Sequence, residues 1–295
     1  MSARTAPAGR GRRLAGTALL QLAVLAVVVW LWWVGTDVLP APDSIAHGFS
    51  PEEAFPTLVD LLADGTLLQD AGTSLLRLLV GLGAAVVVGV PVGLLVGGVP
   101  LADRATGALF QLLRMTSPLS WAPIAVLLLG VGSRPVEALV AIAAVWPVVI
   151  NTAAGVRALD PDWLLTARSL GASRGEVLRT VVVPGVRVHA LTGVRLALGV
   201  SWIVLVPAEM LGVQSGLGYA VLNARDQLAY DVLMATVLAI GVLGLLLDLA
   251  AQALLRPRRP RRRASAALAR AHADERAPAD GPSGPAQQPT GEAVL

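Results

Sequence analysis

The chain contains no cysteine, which excludes a disulfide framework, thiolate catalysis and cysteine-ligated metal. It contains no lysine either, since all 23 basic residues are arginine. A Gly-x-x-x-x-Gly-Lys-Ser/Thr phosphate loop is therefore impossible. Only three histidines occur, His47, His189 and His272, too scattered in sequence to indicate a metal cluster. Charged residues make up only 15% of the chain against 55% hydrophobic, and the mean hydropathy is +0.68. A soluble domain could not cover itself with so few polar groups, so the chain reads as an integral membrane protein. The net charge of +3 and pI near 10.4 fit nucleic acid only as bare sums. Many of the arginines sit beside apolar spans, where membrane topology accounts for them, and no nucleic-acid partner is expected.

A bilayer core about 30 Å thick needs roughly 20 apolar helical residues, because lipid offers the backbone no partners. Six such stretches predict an all-α, polytopic protein: 14–34, 75–96, 108–129, 136–154, 188–211 and 232–255. The first follows a basic segment, 1–13, and ends in Trp30, Trp32 and Trp33, which suit an interfacial belt. Its apolar run exceeds a usual signal-peptide core and lacks an evident small-residue cleavage site, so it reads as a retained anchor. The segment 35–69 is polar and carries Pro40, Pro42, Pro51 and Pro56, which should break any long helix; it is expected outside the cell. Residues 70–255 form the main transmembrane domain. In its first span Gly89-x-x-x-Gly93-x-x-x-Gly97 lays a smooth stripe for close packing of a neighbouring helix. The dense arginine run Arg256–Arg263 reads as a stop-transfer anchor attracted to anionic lipid headgroups, and the tail to Leu295 as disordered. Both termini are expected in the cytoplasm.

The connection Leu165–Pro184, LTARSLGASRGEVLRTVVVP, interrupts the apolar pattern with arginines and a glutamate. Arg157, Arg168, Arg174, Arg179 and Arg187 cluster around it, so the positive-inside rule predicts a cytoplasmic loop spanning 157–187. Pro161–Leu170 should form a short helix, Gly171 a tight turn, and Ser173 the cap of a second segment running to Thr180. The spacing from Gly171 to Val181-x-Val183-Pro184 is weak alone, because a glycine thirteen positions before a proline arises by chance about twice in such a composition.

The ordered blocks on either side carry more. Ser117-Pro118-Leu-Ser-Trp121-Ala-Pro123-Ile124, Trp146-Pro147 through Asn151-Thr152, Leu159-Asp160-Pro161, Thr192-Gly193-Val-Arg195, Ala208-Glu209-Met210 and Ser215-Gly216-Leu217-Gly218-Tyr219 appear in sequence. From about Leu75 to Leu255 the chain resembles the nitrate/sulfonate/taurine group of binding-protein-dependent ABC importer permeases. The resemblance implies a type I ABC importer permease (MetI-like) core in the bacterial plasma membrane, usually a homodimer. Its expected partners are two cytoplasmic ATPases, which bind the ATP, and an extracytoplasmic solute-binding protein, with membrane lipid around the spans. The implied cargo is a small solute, an organic anion such as a sulfonate, taurine or nitrate. No cofactor of its own is expected. Where the family's loop begins Glu-Ala-Ala, this chain has Leu165-Thr166-Ala167, so the salt-bridging part of that Glu does not carry over. The residues left for ATPase coupling are Ala167, Leu170, Gly171, Ala172, Ser173 and Pro184.

For a translocation path or gate the candidates are Pro118, Trp121, Pro123, Trp202 and Glu209. Each has a plainer reading. The prolines remove backbone donors and break a helix, which lines a path or is a tolerated kink. The tryptophans are pore wall or packing. Glu209 is an ionisable group at membrane depth or simply a group at the outer interface. Arg77 and Arg195 are expected to reach headgroups from span ends. An ion-gradient-driven secondary transporter is the rival reading, against which stand the absence of an inverted repeat and the large charged loop. A membrane-embedded enzyme lacks a convergent catalytic set.

Overall fold

The computed structural model describes residues 9–41 and 43–255. The expected basic run 256–263 and the tail to Leu295 lie outside the described residues. Among those described, the chain is helical without strands: α1 (Gly9–Trp33), α2 (Pro51–Ala63), α3 (Thr66–Gly98), α4 (Pro100–Met115), α5 (Ala122–Leu129), α6 (Ser133–Arg157), α7 (Pro161–Ser169), α8 (Arg174–Val177), α9 (Val183–Glu209), α10 (Leu217–Asp226) and α11 (Tyr230–Leu254). Five stretches are long and apolar enough to cross a membrane: Leu19–Val38, Thr66–Gly98, Ser133–Arg157, Arg174–Glu209 and Tyr230–Leu254.

A sixth crossing needs α4 together with Pro118–Leu129, and these two pieces meet at 87°. The expected third span, 108–129, is therefore not one bent helix. Its break lies at Thr116, which is extended, and at Ser117, whose ψ of 128° is non-helical because a residue preceding proline is pushed out of the helical region. Pro118 then opens a short 3₁₀ turn, Pro118–Trp121. Pro123 falls in the first turn of α5, where its missing N–H has no helical acceptor to lose, so it interrupts nothing.

The core is a triangle of α3, α6 and α9. Glycine lets the backbones touch: a Cβ at Gly81, Gly93 or Gly97 would stand within 2.8 Å of the carbonyl oxygens of Glu137, Val149 and Ala153 in turn. Contacts that advance together along both chains make α3 and α6 parallel. Gly193 meets Pro147 and Asn151 while Gly155 meets His189, so α9 runs antiparallel to α6. A helical glycine costs about 1 kcal/mol against alanine. Close backbone approach offsets this where no hydrophobic force draws helices together in lipid.

The segment 35–69 holds more helix than its prolines indicate. Ser50 caps α2 by accepting from the Glu53 N–H (3.3 Å), Pro51 takes the first helical position, and Pro56 costs only one bond. The segment then docks on the start of α11, through Thr57 Oγ1 to Asp231 (3.0 Å) and Phe49 against Tyr230. Helix α1 meets it at its tryptophan end, where Trp32 Nε1 donates to the Phe49 carbonyl (2.9 Å) and Trp33 Nε1 to Glu52 (3.0 Å).

Candidate functional site

One helical run links two contrasting places. It begins at Arg174 and ends at Glu209, 36 residues without a break. At about 1.5 Å per residue it is roughly 54 Å long, more than a bilayer core requires.

At the Arg174 end lies the charged connection. Asp160 caps α7, its carboxylate accepting from the Asp162 N–H (3.0 Å), with Pro161 in the first helical position. The helix stops at Gly171, whose φ of +82° a side chain would strain. Two bonds close the end: Gly171 N–H donates to Arg168 O (3.0 Å) and Ala172 N–H to Ala167 O (3.1 Å), the paired pattern of a Schellman stop. Ser173 starts the next helix at once. Its hydroxyl accepts from the Glu176 N–H (3.3 Å), and its own N–H donates to the Glu176 carboxylate (2.7 Å), a reciprocal capping box. The second segment does not end at Thr180. A wider π turn, Leu178–Val182, carries it into α9, so Pro184 lies inside a continuous helix instead of closing a loop. In an unbroken α-helix the Pro184 ring would meet the Thr180 carbonyl, and the added residue in the turn relieves that clash.

Helix α7 keeps apolar side chains in the open. Trp163 is 58% exposed and Leu170 83%. Seven residues apart, they share one face of the helix, with Ala167 between them. Sequence reasoning named Ala167 and Leu170 and missed Trp163, although its position four before Ala167 was a usable signal.

At the Glu209 end the two charges are buried. Glu209 is fully buried and Arg77 of α3 is 3% exposed. Arg77 Nη1 donates to Glu209 Oε1 (2.7 Å) and to the Ser215 carbonyl (2.7 Å), Nη2 to Ser215 Oγ (2.8 Å), and Nε to Ser133 Oγ at the start of α6 (3.0 Å). The Ser74 hydroxyl contacts both Glu209 oxygens (2.9 and 2.8 Å) and accepts from the Leu217 N–H; the Gly218 N–H donates to Oε2 (3.0 Å). Asp70 accepts from the Gly216 N–H (2.8 Å). The cluster ties α3, α6, α9 and α10 together with every hydrogen-bonding atom of the two charges engaged, the condition under which a buried pair is tolerable. Its glycines leave no room for a side chain: Gly216 has φ +98° and a Cβ there would stand 2.6 Å from Glu209 Oε1, while a Cβ at Gly218 would overlap the Val206 carbonyl.

The expectation that Arg77 reaches headgroups is thus overturned. Arg77 near the start of one span and Glu209 at the end of another lie 132 residues apart along the chain, but α3 and α9 are antiparallel and bring them to one level. Arg195 is also misplaced by that expectation. It lies in the middle of α9 and faces Asp248 of α11, with Nη2 3.3 Å from Oδ1, both half-exposed. Pro118, Trp121 and Pro123 come together where the turn before α5 packs on α6 and α9, Trp121 against the core formed by Leu78, Val140 and Leu205. Trp202 packs on the same core and presses on Gly244 of α11, a contact that only glycine permits. Glu209 is not among them.

The chain as a whole is similar to known proteins. Residues 89–263 match the family described as the binding-protein-dependent transport system inner membrane component. The chain belongs to this family. It is 35% identical to the taurine transport system permease protein of Escherichia coli K12, over 80% of this chain and 87% of that one. It is 34% identical to a bicarbonate transport system permease protein of Synechococcus elongatus, covering 78% and 85%, and 31% identical to the nitrate import permease protein of a Synechocystis strain, covering 76% and 83%. The chain is accordingly the multi-pass plasma-membrane permease subunit of a bacterial ABC importer, a transport component and not an enzyme, and the family works with an ATPase and a binding protein. The family match supports this subunit role and not the ion-gradient-driven alternative.

Proposed function

We propose that the chain forms a homodimer in which α7 docks on a cytoplasmic ATPase, and that the run Arg174–Glu209 carries the ATPase's movement to the far side of the membrane. The observation that carries the reading is the unbroken helix between an exposed apolar turn and a buried ionic latch. A motor subunit needs a rigid handle with an apolar knob, and Trp163 with Leu170 provides one; a tryptophan seated in a groove is among the residues that dominate interface energy, and the exposed leucine beside it adds apolar area to bury. Gly171 and Ser173 fix the angle between α7 and the run, so a shift of α7 turns the whole helix. The latch at Glu209 binds the distal end of that helix to α3, α6 and α10, so those elements follow together.

On this reading the Arg168 side faces the cytoplasm and the Glu209 side faces outward, where a solute-binding protein delivers the cargo. The cargo class is a small solute bearing an anionic group, such as a sulfonate, taurine or nitrate, in line with the substrates named for the relatives. Trp121, Trp202 and the broken segment at Pro118 border the route in the dimer. The Glu209 carboxylate acts as a structural pin, since both its oxygens already accept from donors of its own subunit, Arg77 on Oε1, the Gly218 N–H on Oε2 and the Ser74 hydroxyl beside both.

The test is co-purification of the tagged permease with its ATPase in mild detergent, with uptake measured in vesicles. Trp163→Ala with Leu170→Asp should abolish ATPase recovery and ATP-driven uptake while the permease itself stays folded. Uptake that persists with ATPase bound as before would overturn the docking role.

A further inference from the structure

Two hollows on the surface of the α3/α6/α9 triangle meet at Leu94. One, about 580 Å³, lies under α7 and is bordered by Val156, Leu164 and Val177, with Arg168 and Arg174 at its edge. The other, about 410 Å³, runs along the seam between α3 and α9, between Val86 and Val90 on one side and Ala190 and Val194 on the other, with Arg187 as its single charged neighbour. Their linings differ as the parts of an amphiphile differ. Among the described residues Arg168, Arg174 and Arg187 enter no ion pair. Two acidic side chains of the same connection are already engaged by caps, Asp160 on Asp162 N–H and Glu176 on Ser173 N–H.

We propose that this joined groove is a binding site for an anionic phospholipid, with the phosphate held between Arg168 and Arg174 and one acyl chain lying in the α3/α9 seam. Guanidinium groups present forked donors that match phosphate oxygens in pairs. From Leu94 to Val86 the seam descends two turns, about 12 Å, a length that accommodates the upper part of an acyl chain. Depth and charge agree: the arginines stand at the Gly98 end of α3, the level of the inner-leaflet headgroups under the topology of the proposed function, on which this inference rests. A small water-soluble anion would have no use for the aliphatic seam. The ATPase's share of α7 is the Trp163 and Leu170 face, whereas Leu164 and Arg168, one turn apart, border the groove on another. A lipid seated there bears on both α7 and α9, so it would stiffen the angle at which the docking turn is presented.

The full permease–ATPase complex, reconstituted in nanodiscs of phosphatidylcholine with or without phosphatidylglycerol, is delipidated stepwise, and retained lipid is counted by native mass spectrometry. The expected result is phosphatidylglycerol retained over phosphatidylcholine, with retention reduced roughly tenfold, about 1.4 kcal/mol, by Arg168→Gln with Arg174→Gln. Ala190→Trp, which fills the seam and leaves the arginines in place, should reduce it as well. Equal retention of both lipids, or retention untouched by Ala190→Trp, would overturn the proposal. So would loss of ATPase in the arginine double variant with lipid still bound, because the arginines would then meet acidic groups of the ATPase. Failure of the docking reading registers separately, through ATPase recovery in the Trp163 variant.

Discussion

The two ends of the Arg174–Glu209 run are built by opposite means. At the Glu209 end a carboxylate and a guanidinium are sealed from solvent and hold four elements through side-chain bonds spanning up to 138 residues of sequence. At the Arg174 end the geometry is set by local rules between Asp160 and Glu176: a cap, a left-handed glycine, a second cap, with apolar side chains left outward. The first arrangement gains its strength from burial and fails severely when one partner is lost. The second is locally specified and can move as a unit, because little of α7 is buried. A transport subunit needs both, one end fixed to the bundle and the other free to follow its motor.

The largest expected effect is at the fixed end. Removing one member of a buried, fully bonded ion pair costs about 3–5 kcal/mol, since the other charge is left without a partner. Glu209→Leu or Arg77→Met should each sharply lower the melting temperature and detergent-soluble yield. The double variant should recover part of that loss, because it leaves no unpaired charge. If the double variant is as damaged as the two singles added together, the pair is not the unit that holds this end.

Next in size is the free end. Trp163→Ala with Leu170→Ala should weaken ATPase binding by about 2 kcal/mol or more, some thirtyfold, with no change in the permease's own melting temperature. A fall in melting temperature of the isolated permease would mean that these side chains pack internally, and the contrast between the ends would collapse.

Two glycines sharpen the comparison at smaller magnitude. Gly218→Ala should cost about 2 kcal/mol through overlap with Val206, whereas Gly171→Ala, with open space around its Cβ but φ at +82°, should cost about 1 kcal/mol through backbone strain alone. Thermal unfolding of both variants in one detergent distinguishes crowding from conformation.

What could be read in the sequence follows the same division. The turn at Gly171, the cap at Ser173 and the stripe Gly89–Gly93–Gly97 obey local rules, and the chain spells them out in order. The latch does not. Arg77 and Glu209 lie 132 residues apart, and only the antiparallel placement of α3 and α9 makes them neighbours. A partial signal was present in Ser215-Gly216-Leu217-Gly218, a stretch with two glycines soon after a membrane-depth carboxylate, which marks a backbone folding closely over that group. The 87° break was half legible: Pro118 announced an interruption, yet neither its angle nor the harmlessness of Pro123 follows from proline alone. Pro184 likewise read as an end of a loop, because nothing local distinguishes a proline that stops a helix from one absorbed by a π turn.

The smallest effect tests whether the free end is specified by its caps. Ser173→Ala removes a side-chain acceptor from the Glu176 N–H and loosens the reciprocal bond that the backbone N–H of residue 173 donates to the Glu176 carboxylate, for about 1 kcal/mol. That is too little to unfold a bundle held by the α3/α6/α9 core. It is enough to fray Arg174–Val177, so that α7 is no longer presented at one angle to the run. Hydrogen exchange of the amides around 174–178 should therefore rise while those of α6 and the Glu209 end stay protected, and coupling of ATP hydrolysis to uptake should fall more than ATPase binding does. Uniform deprotection along the run to Glu209 would show instead that the two ends are one cooperative unit, stabilised together and not by separate means.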